Sequence, residues 1–314
     1  MLYPRRILVA LPLLALWALS EFASAQPAAT LQRPAEKTDE TPTLGTQWVR
    51  LAKDKAGKPE AMETAIIRYV PRDDFEEGKA ADKYAQYVDL VGAVHIGDRA
   101  YYGELNRRFR TYDAVLYELV ADPGVAIPKG RGASNTHPLG ALQNGMKSML
   151  EGEHQLEEID YTRDNFVHAD LSPQEFARSM EQRDEGFLQM FAKIMGASLA
   201  HQSQQAARGE SADIEFMAAL LAEDRARQLK IAMAKQFEEM ESLLSVLSGP
   251  DGSTLITQRN IRALDVLEEQ LKAGQQRLAI FYGAGHLSDM GGRMDKRFDM
   301  VPVAVDWVEA WDLR

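Results

Sequence analysis

The sequence predicts an α/β fold, with a mixed central sheet formed by two β-α-β repeats and a large helical insertion between them. Two short apolar segments, 88–91 and 278–282, have the composition of buried strands, and each leads into the pattern Gly-Ala-x-His-x-x-Asp. A helical stretch, an Arg-Phe pair and another apolar strand follow each copy. Between the copies, residues 137–247 carry apolar side chains at the three- and four-residue spacings of amphipathic helices. A strand-helix-strand unit repeated in this way favours a parallel or mixed sheet.

The first 43 residues are expected to lie outside this fold. Residues 1–25 begin with a basic pair, continue with an apolar run and end in Ala-Ser-Ala, which is the pattern of a cleavable signal peptide. An uncleaved membrane anchor is the alternative, but the run is short compared with the roughly 20 residues that span a bilayer. Residues 26–43, rich in Ala, Pro, Thr and charged residues, predict a flexible leader. We therefore expect a periplasmic or secreted protein with no membrane association after signal cleavage.

The composition limits the classes of function. The chain has 314 residues and a formal net charge of -11, and removal of residues 1–25 would change this charge to -12. So acidic a protein has no electrostatic basis for binding nucleic acid or anionic lipid, whereas it can hold a cation. The absence of cysteine excludes thiol catalysis and zinc sites made from thiolates.

The N-terminal half of the fold is expected to combine strands with one helix. Apolar runs predict strands at 48–51, 64–70, 87–95 and 113–120. The first two strands are expected to form a hairpin. A helix over 98–110, with Asp98 as its N-cap, is predicted between the last two strands. Residues 121–135 contain Pro, Gly and Ser and predict a loop.

The middle of the chain, 137–247, is expected to be almost wholly helical and to cover the edge of the site. Ser172, Pro173 and Glu175 together predict a helix start with a capping box. A long amphipathic helix is predicted from an apolar stripe formed by Met217, Leu220, Leu221, Leu229, Met233, Phe237, Met240, Leu244 and Leu247. We expect this stripe to pack against the sheet or against the neighbouring helices.

The last part of the chain completes the second repeat. A helix is predicted from Thr254 or Thr257 to Ala273. The strand 278–282, a short helix and a final strand over 301–307 follow it.

Two histidines and a glutamate form the candidate site. His95 and His286 follow the C-terminal ends of equivalent strands, at the edge where open α/β sheets bind ligands. Glu118 ends the strand after His95 and lies in an apolar run, where a carboxylate is costly to bury unless a metal or another cation pairs with it. Two histidines and a carboxylate are a common ligand set for a catalytic divalent cation.

The other candidates are weaker. His168 precedes a helix start and could reach the site, but histidines near helix termini are common for structural reasons. His137, His154 and His201 lie in polar stretches and are expected at the surface. As a site residue, Arg259 would neutralise charge on an oxyanion or hold Glu118 in place; the alternative is a position on the surface of a helix. Without further information the surface position is favoured.

The paired Gly-x-x-His motifs ending at His95 and His286, together with Glu118 and the adjacent Arg259 and Asn260, resemble the TraB/PrgY/GumN family. That family includes the Tiki metalloproteases and is more distantly related to the erythromycin esterase and ChaN groups. The resemblance covers roughly residues 85–120 and 255–308. It implies that residues 44–314 form one TraB/GumN-like α/β domain, with a helical insertion at about 137–247.

The resemblance also implies a function. The protein would be a metalloprotease-like hydrolase that uses a divalent metal cation (Mn, Co, Zn or Fe) bound by His95, His286 and Glu118. Glu118 and Arg259 would have catalytic roles, and the substrate would be a peptide or another small molecule, with peptide bonds as the first choice and esters as the second.

The chain departs from the family pattern at one position. The family often has a second acidic residue two positions after the glutamate, where this chain has Val120. Asp122 is the candidate replacement. The alternative function is a periplasmic protein that binds haem, iron or a protein partner on the same fold without hydrolysis.

Overall fold

The computed structural model describes residues 44–125, 127, 145, 147–183, 185, 216, 218–248 and 252–314, with side chains excluded from 238 to 248. The predicted signal peptide and leader therefore lie outside the described residues, as do His137 and His201. The same holds for Met217 and for the side chains of Met240, Leu244 and Leu247 in the predicted stripe.

The fold is built on a mixed sheet, as the sequence predicts for an α/β protein. The described strands are β1 Val49–Lys53, β2 Pro59–Pro71, β3 Tyr87–Ala93, β4 Ile96–Gly97, β5 Ala114–Tyr117, β6 Glu153–His154, β7 Phe166–His168, β8 Arg277–Gly283 and β9 Met300–Asp312. Seven of them form one sheet in the order β1-β2-β3-β8-β5-β7, with β9 also paired to β2, and β4 and β6 form a separate small pair. Strands β3, β8, β5 and β7 are parallel, whereas β1, β3 and β9 are antiparallel to β2.

Strand β2 joins the antiparallel and parallel parts of the sheet. Its residues 59–64 pair with β1 and its residues 66–69 pair with β3. Strand β9 pairs with residues 61–71 of β2 and so overlaps both partners. Because a strand has two edges, β9 occupies one edge of β2 while β1 and β3 share the other.

The two predicted repeats are present and interlock. The first repeat consists of β3, helix α1 and β5, and the second consists of β8, helix α6 and β9. Strand β8 lies between β3 and β5, with Ala93 opposite Gly283 and Tyr117 opposite Phe281. Parallel strands in register end together, so this order brings the segments that follow β3, β5 and β8 to one edge of the sheet.

Helices cover both faces of the sheet. The main α-helices of the described residues are α1 Arg99–Phe109, α2 Gln155–Glu158, α3 Pro173–Gln182, α4 Arg225–Ser248, α5 Arg259–Lys272 and α6 Ala284–Phe298. Alternate residues of β8 belong to two separate cores, with Phe281 in one and Ile280 in the other. Helices α1 and α4 pack on the Phe281 side, and helices α5 and α6 pack on the Ile280 side. The result is a three-layer arrangement around the parallel strands.

The described part of the middle segment, residues 147–183, is less helical than the sequence predicts. Strand β7 lies within it and pairs in parallel with β5, and residues 159–165 form turns and coil. Strand β7 has only three residues, which is too short for a local hydrophobic period to identify it. The predicted capping box is confirmed, because Ser172 accepts a hydrogen bond from the Glu175 N–H and the Glu175 carboxylate accepts one from the Ser172 N–H.

The predicted long amphipathic helix is confirmed in part. Helix α4 begins at Arg225, and its residue Leu229 is almost fully buried in the core. Leu221 was included in the stripe but is 83% exposed, because it lies in a turn before the helix begins. No described helix is long and apolar enough to cross a membrane.

Candidate active site at the carboxyl edge of the sheet

The three residues singled out by the sequence meet at the carboxyl edge of the parallel strands. His95 lies in the turn after β3, and Glu118 directly follows β5. His286 lies in the first turn of α6, which begins as soon as β8 ends at Gly283. The sequence predicts that His286 follows the end of the strand and precedes a short helix, and the structure shows that the helix begins early enough to include His286.

Glu118 is held by a buried arginine and by the backbone at the start of α6. Its Oε1 accepts a hydrogen bond from Arg259 Nη2 at 2.7 Å, and its Oε2 accepts one from the Gly283 N–H at 2.7 Å. Burial alone would raise the pKa of Glu118, but the positive charge of Arg259, the histidines and the Gly283 N–H outweigh it and hold the pKa far below its usual range. Glu118 is therefore a carboxylate at every physiological pH.

Gly283 allows this contact. A Cβ at position 283 would lie 3.3 Å from Glu118 Oε2, closer than ordinary van der Waals contact. Only glycine lets the carboxylate approach the backbone N–H without displacement.

Arg259 is buried in the site and is not a surface residue of a helix. It is the first residue of α5 and is 2% exposed. Besides Glu118, it binds Asp170 through Nε and Nη2, the Nη2–Oδ2 distance being 2.6 Å. Two carboxylates raise the pKa of Arg259 against the opposing effect of burial, so its charge is permanent. Its geometry fits the role of holding Glu118.

Asp170 was missed as a site residue by the sequence reasoning. It lies two residues after β7, is fully buried and also accepts a hydrogen bond from the Leu171 N–H at 2.7 Å. Asp122, the candidate second acidic residue, is exposed in a turn, and Val120 is buried. The second carboxylate near Glu118 is therefore Asp170. The detectable signal was an acidic residue two positions before the helix cap Ser172, which is weak evidence for a site residue when β7 is not known.

His286 is oriented by Asn260. Its Nδ1 lies 2.7 Å from Asn260 Oδ1, and Asn260 Nδ2 donates to the His286 carbonyl oxygen at 3.0 Å. An amide oxygen only accepts, so Nδ1 carries the proton and Nε2 of the neutral ring keeps its lone pair. Burial lowers the pKa of His286 to about 4, against the opposing effect of Glu118, so the ring is neutral at pH 7.

The lone pair of His286 faces a carboxylate. Nε2 lies 3.5 Å from Glu118 Oε1, and neither atom has a proton to share with the other. Two acceptors at this distance repel each other unless a positive charge or a donor lies between them. Ligand bonds of about 2.0–2.2 Å at a tetrahedral angle would place two ligand atoms of one ion about 3.4 Å apart, which matches this spacing.

His95 is exposed to solvent, whereas His286 is buried. The residue is exposed in the turn, yet desolvation by the surrounding protein lowers the pKa of its imidazole, with Glu118 acting in the opposite sense. The charge of a protonated His95 would lower the pKa of both Glu118 and His286, so the three side chains lie close together. His95 is a neutral, accessible imidazole next to a permanent carboxylate.

Two of the other histidines are also placed by the structure. His154 was expected at the surface but is 6% exposed, because β6 pairs with β4 directly after His95. Its position follows from a strand pair that local sequence cannot predict. His168 has a half-buried side chain whose Nε2 contacts the Leu119 carbonyl oxygen at 2.7 Å, so its role is to join β7 to the segment after β5.

The charges of the site do not cancel. Glu118 and Asp170 carry two negative charges, Arg259 carries one positive charge, and His286 is neutral. One negative charge remains in a buried place, which favours binding of a cation. Within the described part of the chain, no group of three or more His, Asp or Glu side chains is arranged as a complete metal site. Glu118 and His286 thus fit as two ligands, and His95 as the third ligand stays a prediction.

Comparisons of the chain with family models, with curated proteins and with solved structures found no match. The resemblance to the TraB/PrgY/GumN family therefore stays a prediction that rests on the motifs themselves.

Proposed function

We propose that this protein is an exported, divalent-metal-dependent hydrolase of the metalloprotease type. The observation that supports it best is the facing pair of His286 Nε2 and Glu118 Oε1, 3.5 Å apart in a buried site with one uncompensated negative charge. A cation is the ligand that removes both the repulsion and the excess charge.

His286, Glu118 and His95 would hold the cation. When bound, a divalent cation would supply a Lewis acid that activates water and polarises a carbonyl oxygen. The strongly lowered pKa makes Glu118 a weak base, which favours its role as a ligand over the alternative role of general base. Mn, Co, Zn and Fe are all compatible with imidazole and carboxylate ligands.

The neighbouring residues position the ligands. Asp170 fixes the guanidinium of Arg259, and Arg259 fixes Glu118. Asn260 fixes both the ring orientation and the tautomer of His286. Such outer contacts keep ligands in one geometry and tune their basicity. Arg259 is thus a positioning residue that also limits the negative charge at the site.

The test compares metal binding and hydrolysis in matched variants. Metal content after purification from the native compartment, and titration with Mn²⁺, Co²⁺, Zn²⁺ and Fe²⁺, would be measured for the parent, Glu118→Gln and His286→Asn. Loss of a ligand should reduce affinity by more than the 10- to 100-fold typical of an outer contact. Glu268→Gln is the matched control, because Glu268 pairs with Lys272 and Arg297 on the surface.

Turnover of an unfolded-peptide library separates the proposal from its alternatives. We expect cleavage that a chelator abolishes and that Glu118→Gln and His286→Asn lack. A protein that binds iron or shows a Soret band but cleaves nothing is a binding protein, and full metal retention in both variants contradicts the site.

Export is tested separately, since intact-mass analysis should show that residues 1–25 are missing.

A further inference from the structure

The side chain of Asn260, which orients His286, is itself fixed by two acceptors. Its Nδ2 donates to the His286 carbonyl oxygen at 3.0 Å and to Asp289 Oδ2 at 2.8 Å. A carbonyl oxygen and a carboxylate only accept hydrogen bonds, so both contacts require the amide nitrogen on this side. The amide oxygen of Asn260 is thereby turned toward His286 Nδ1, which lies 2.7 Å away.

Asp289 is held in turn by an arginine of the same helix. Arg293 lies four residues further along α6, and its Nε and Nη2 donate to the two Asp289 oxygens at 2.7 Å and 3.0 Å. Side chains four residues apart are neighbours on a helix surface. Both members of this pair are partly exposed, whereas Asn260 is fully buried. Asp289 therefore connects a pair at the surface with the buried residue that orients His286.

The two repeats use the aspartate of their common motif differently. Asp98 and Asp289 each lie three positions after the motif histidine. Asp98 accepts hydrogen bonds from Lys230 Nζ at 2.6 Å and from the Asp312 N–H at 2.7 Å, so it joins α4 and the end of β9 to the start of α1. Asp289 instead contacts the residue that orients the histidine of its own repeat. The first aspartate connects parts of the fold, and the second acts on the candidate site.

The opposite tautomer of His286 would close the cation site. If the Asn260 amide were turned over, its nitrogen would donate to Nδ1 and the ring proton would lie on Nε2. Nε2 faces Glu118 Oε1 at 3.5 Å, so this proton would point at the carboxylate. A protonated ring nitrogen has no lone pair to offer a metal ion. The two candidate ligands would then satisfy each other and not a cation.

We propose that Asp289 is a positioning residue, which acts through Asn260 to keep the proton of His286 on Nδ1 and its Nε2 free for the cation. Turning the Asn260 amide over would set its oxygen against the Asp289 carboxylate, and two acceptors in contact repel each other. This inference rests on the proposed metal-dependent function and deepens it, because Asp289 then decides whether the ligands bind a cation or each other.

The test compares two replacements of Asp289. Asp289→Ala removes the acceptor for Asn260, whereas Asp289→Asn removes the charge and keeps an acceptor oxygen. Nitrogen NMR of the mature, metal-free protein with isotope-labelled histidines reports at neutral pH which ring nitrogen carries the proton. The signals of His286 are identified by their absence from the spectrum of His286→Asn. Titration with Zn²⁺ and Mn²⁺ then measures the cation affinity of each variant.

The proton of His286 should lie on Nδ1 in the parent and in Asp289→Asn, and should move to Nε2 in Asp289→Ala. The cation affinity of Asp289→Ala should fall by about 10- to 100-fold, the range typical of an outer contact to a ligand. Asp289→Asn should bind cations like the parent, because it restores the acceptor without the charge.

Asp295→Ala is the matched control. It removes one negative charge from the same helix, where Asp295 pairs with Arg72 at the surface. It should change neither the tautomer of His286 nor the cation affinity. Asp289→Leu, which has nearly the shape of aspartate and also lacks an acceptor, repeats the test if Asp289→Ala does not fold.

The outcomes separate this inference from the proposed function. A proton that stays on Nδ1 in Asp289→Ala overturns the role of Asp289. Equal losses of affinity in Asp289→Ala and Asp289→Asn also overturn it, since they would reflect the lost charge and not the lost acceptor. If the parent binds no divalent cation, the proposed function fails, while the position of the His286 proton still decides whether Asp289 sets the tautomer.

Discussion

Among the described residues, two arginine–aspartate pairs with a buried carboxylate differ in whether the charges around them balance. In the first pair, Arg68 binds both oxygens of Asp89 at 2.8 Å, and the Tyr112 hydroxyl donates to the same carboxylate at 2.6 Å. In the second, Arg259 binds Asp170 and then also Glu118. The first pair is neutral overall, whereas the second pair together with Glu118 retains one negative charge.

The positions of the two pairs explain the difference. Asp89 lies within β3, opposite Arg68 of β2, where a charge must be neutralised for the sheet to form. Asp170 and Glu118 follow β7 and β5, at the edge where α/β sheets bind ligands. The balanced pair neutralises charge within the sheet, whereas the residual charge at the ligand edge supports the proposed cation site.

The largest expected effect comes from removing the arginine of the unbalanced cluster. Arg259→Met leaves two buried carboxylates without their cation and should lower the free energy of unfolding by about 3–5 kcal/mol. Urea denaturation at pH 7 measures it. Arg107→Met, which breaks an exposed pair with Glu104, is the control and should melt like the parent. Equal stability of the two variants would mean that Arg259 is not needed to neutralise the site.

The next effect is the pH dependence that His286 gives to folding. The pKa of His286 is about 4 in the folded protein, below the value of about 6.5 in the unfolded chain. The unfolded state therefore binds the extra proton between these values, and His286 should contribute about 3 kcal/mol of stability above pH 6.5 that is lost as the pH falls to 4. Replacement by Asn should flatten this part of the curve. An NMR titration that finds the imidazole pKa above 6 would contradict the burial described here.

Disruption of the balanced Arg68–Asp89 pair should cause a smaller loss of stability and no loss of function. Asp89→Asn keeps the shape of the side chain but weakens its bonds to Arg68, and it should cost about 1.5–3 kcal/mol of stability. Metal affinity and hydrolysis, measured at a temperature where the variant is folded, should equal those of the parent. A change in metal affinity would show that the two clusters are coupled.

The largest effect on function, with a moderate effect on stability, is expected for Glu118→Gln. The amide oxygen can still accept from Arg259 or from the Gly283 N–H, but the amide NH2 group then faces the other donor. Because the folded protein holds the pKa of Glu118 far below its usual range, loss of the charge should also cost about 1–3 kcal/mol of stability, while cation binding is lost. Urea denaturation without metal and titration with metal measure the two halves of this prediction. Cation affinity equal to that of the parent would contradict the role of Glu118 as a ligand.

The sequence predicted much of the fold because its main signals are local. Buried strands such as β3 and β8 are short apolar runs, and the helix start at Ser172 is a pattern of four neighbouring residues. The repeat of Gly-Ala-x-His located the carboxyl edge, and His95 and His286 do lie there. The sequence did not predict the short strands β6 and β7, because two or three residues are too few to show an alternation of apolar and polar side chains.

The sequence by itself determined the class of the fold, the edge that carries the histidines and the acidic residue beside them. Only the tertiary structure decided how these residues are held. The insertion of β8 between β3 and β5 brings His286 next to Glu118, and the addition of β7 brings Asp170 to Arg259, 89 positions away in the chain. Charges pair through space, and strand order sets their distances, so no periodicity along the chain could show which carboxylates share one arginine.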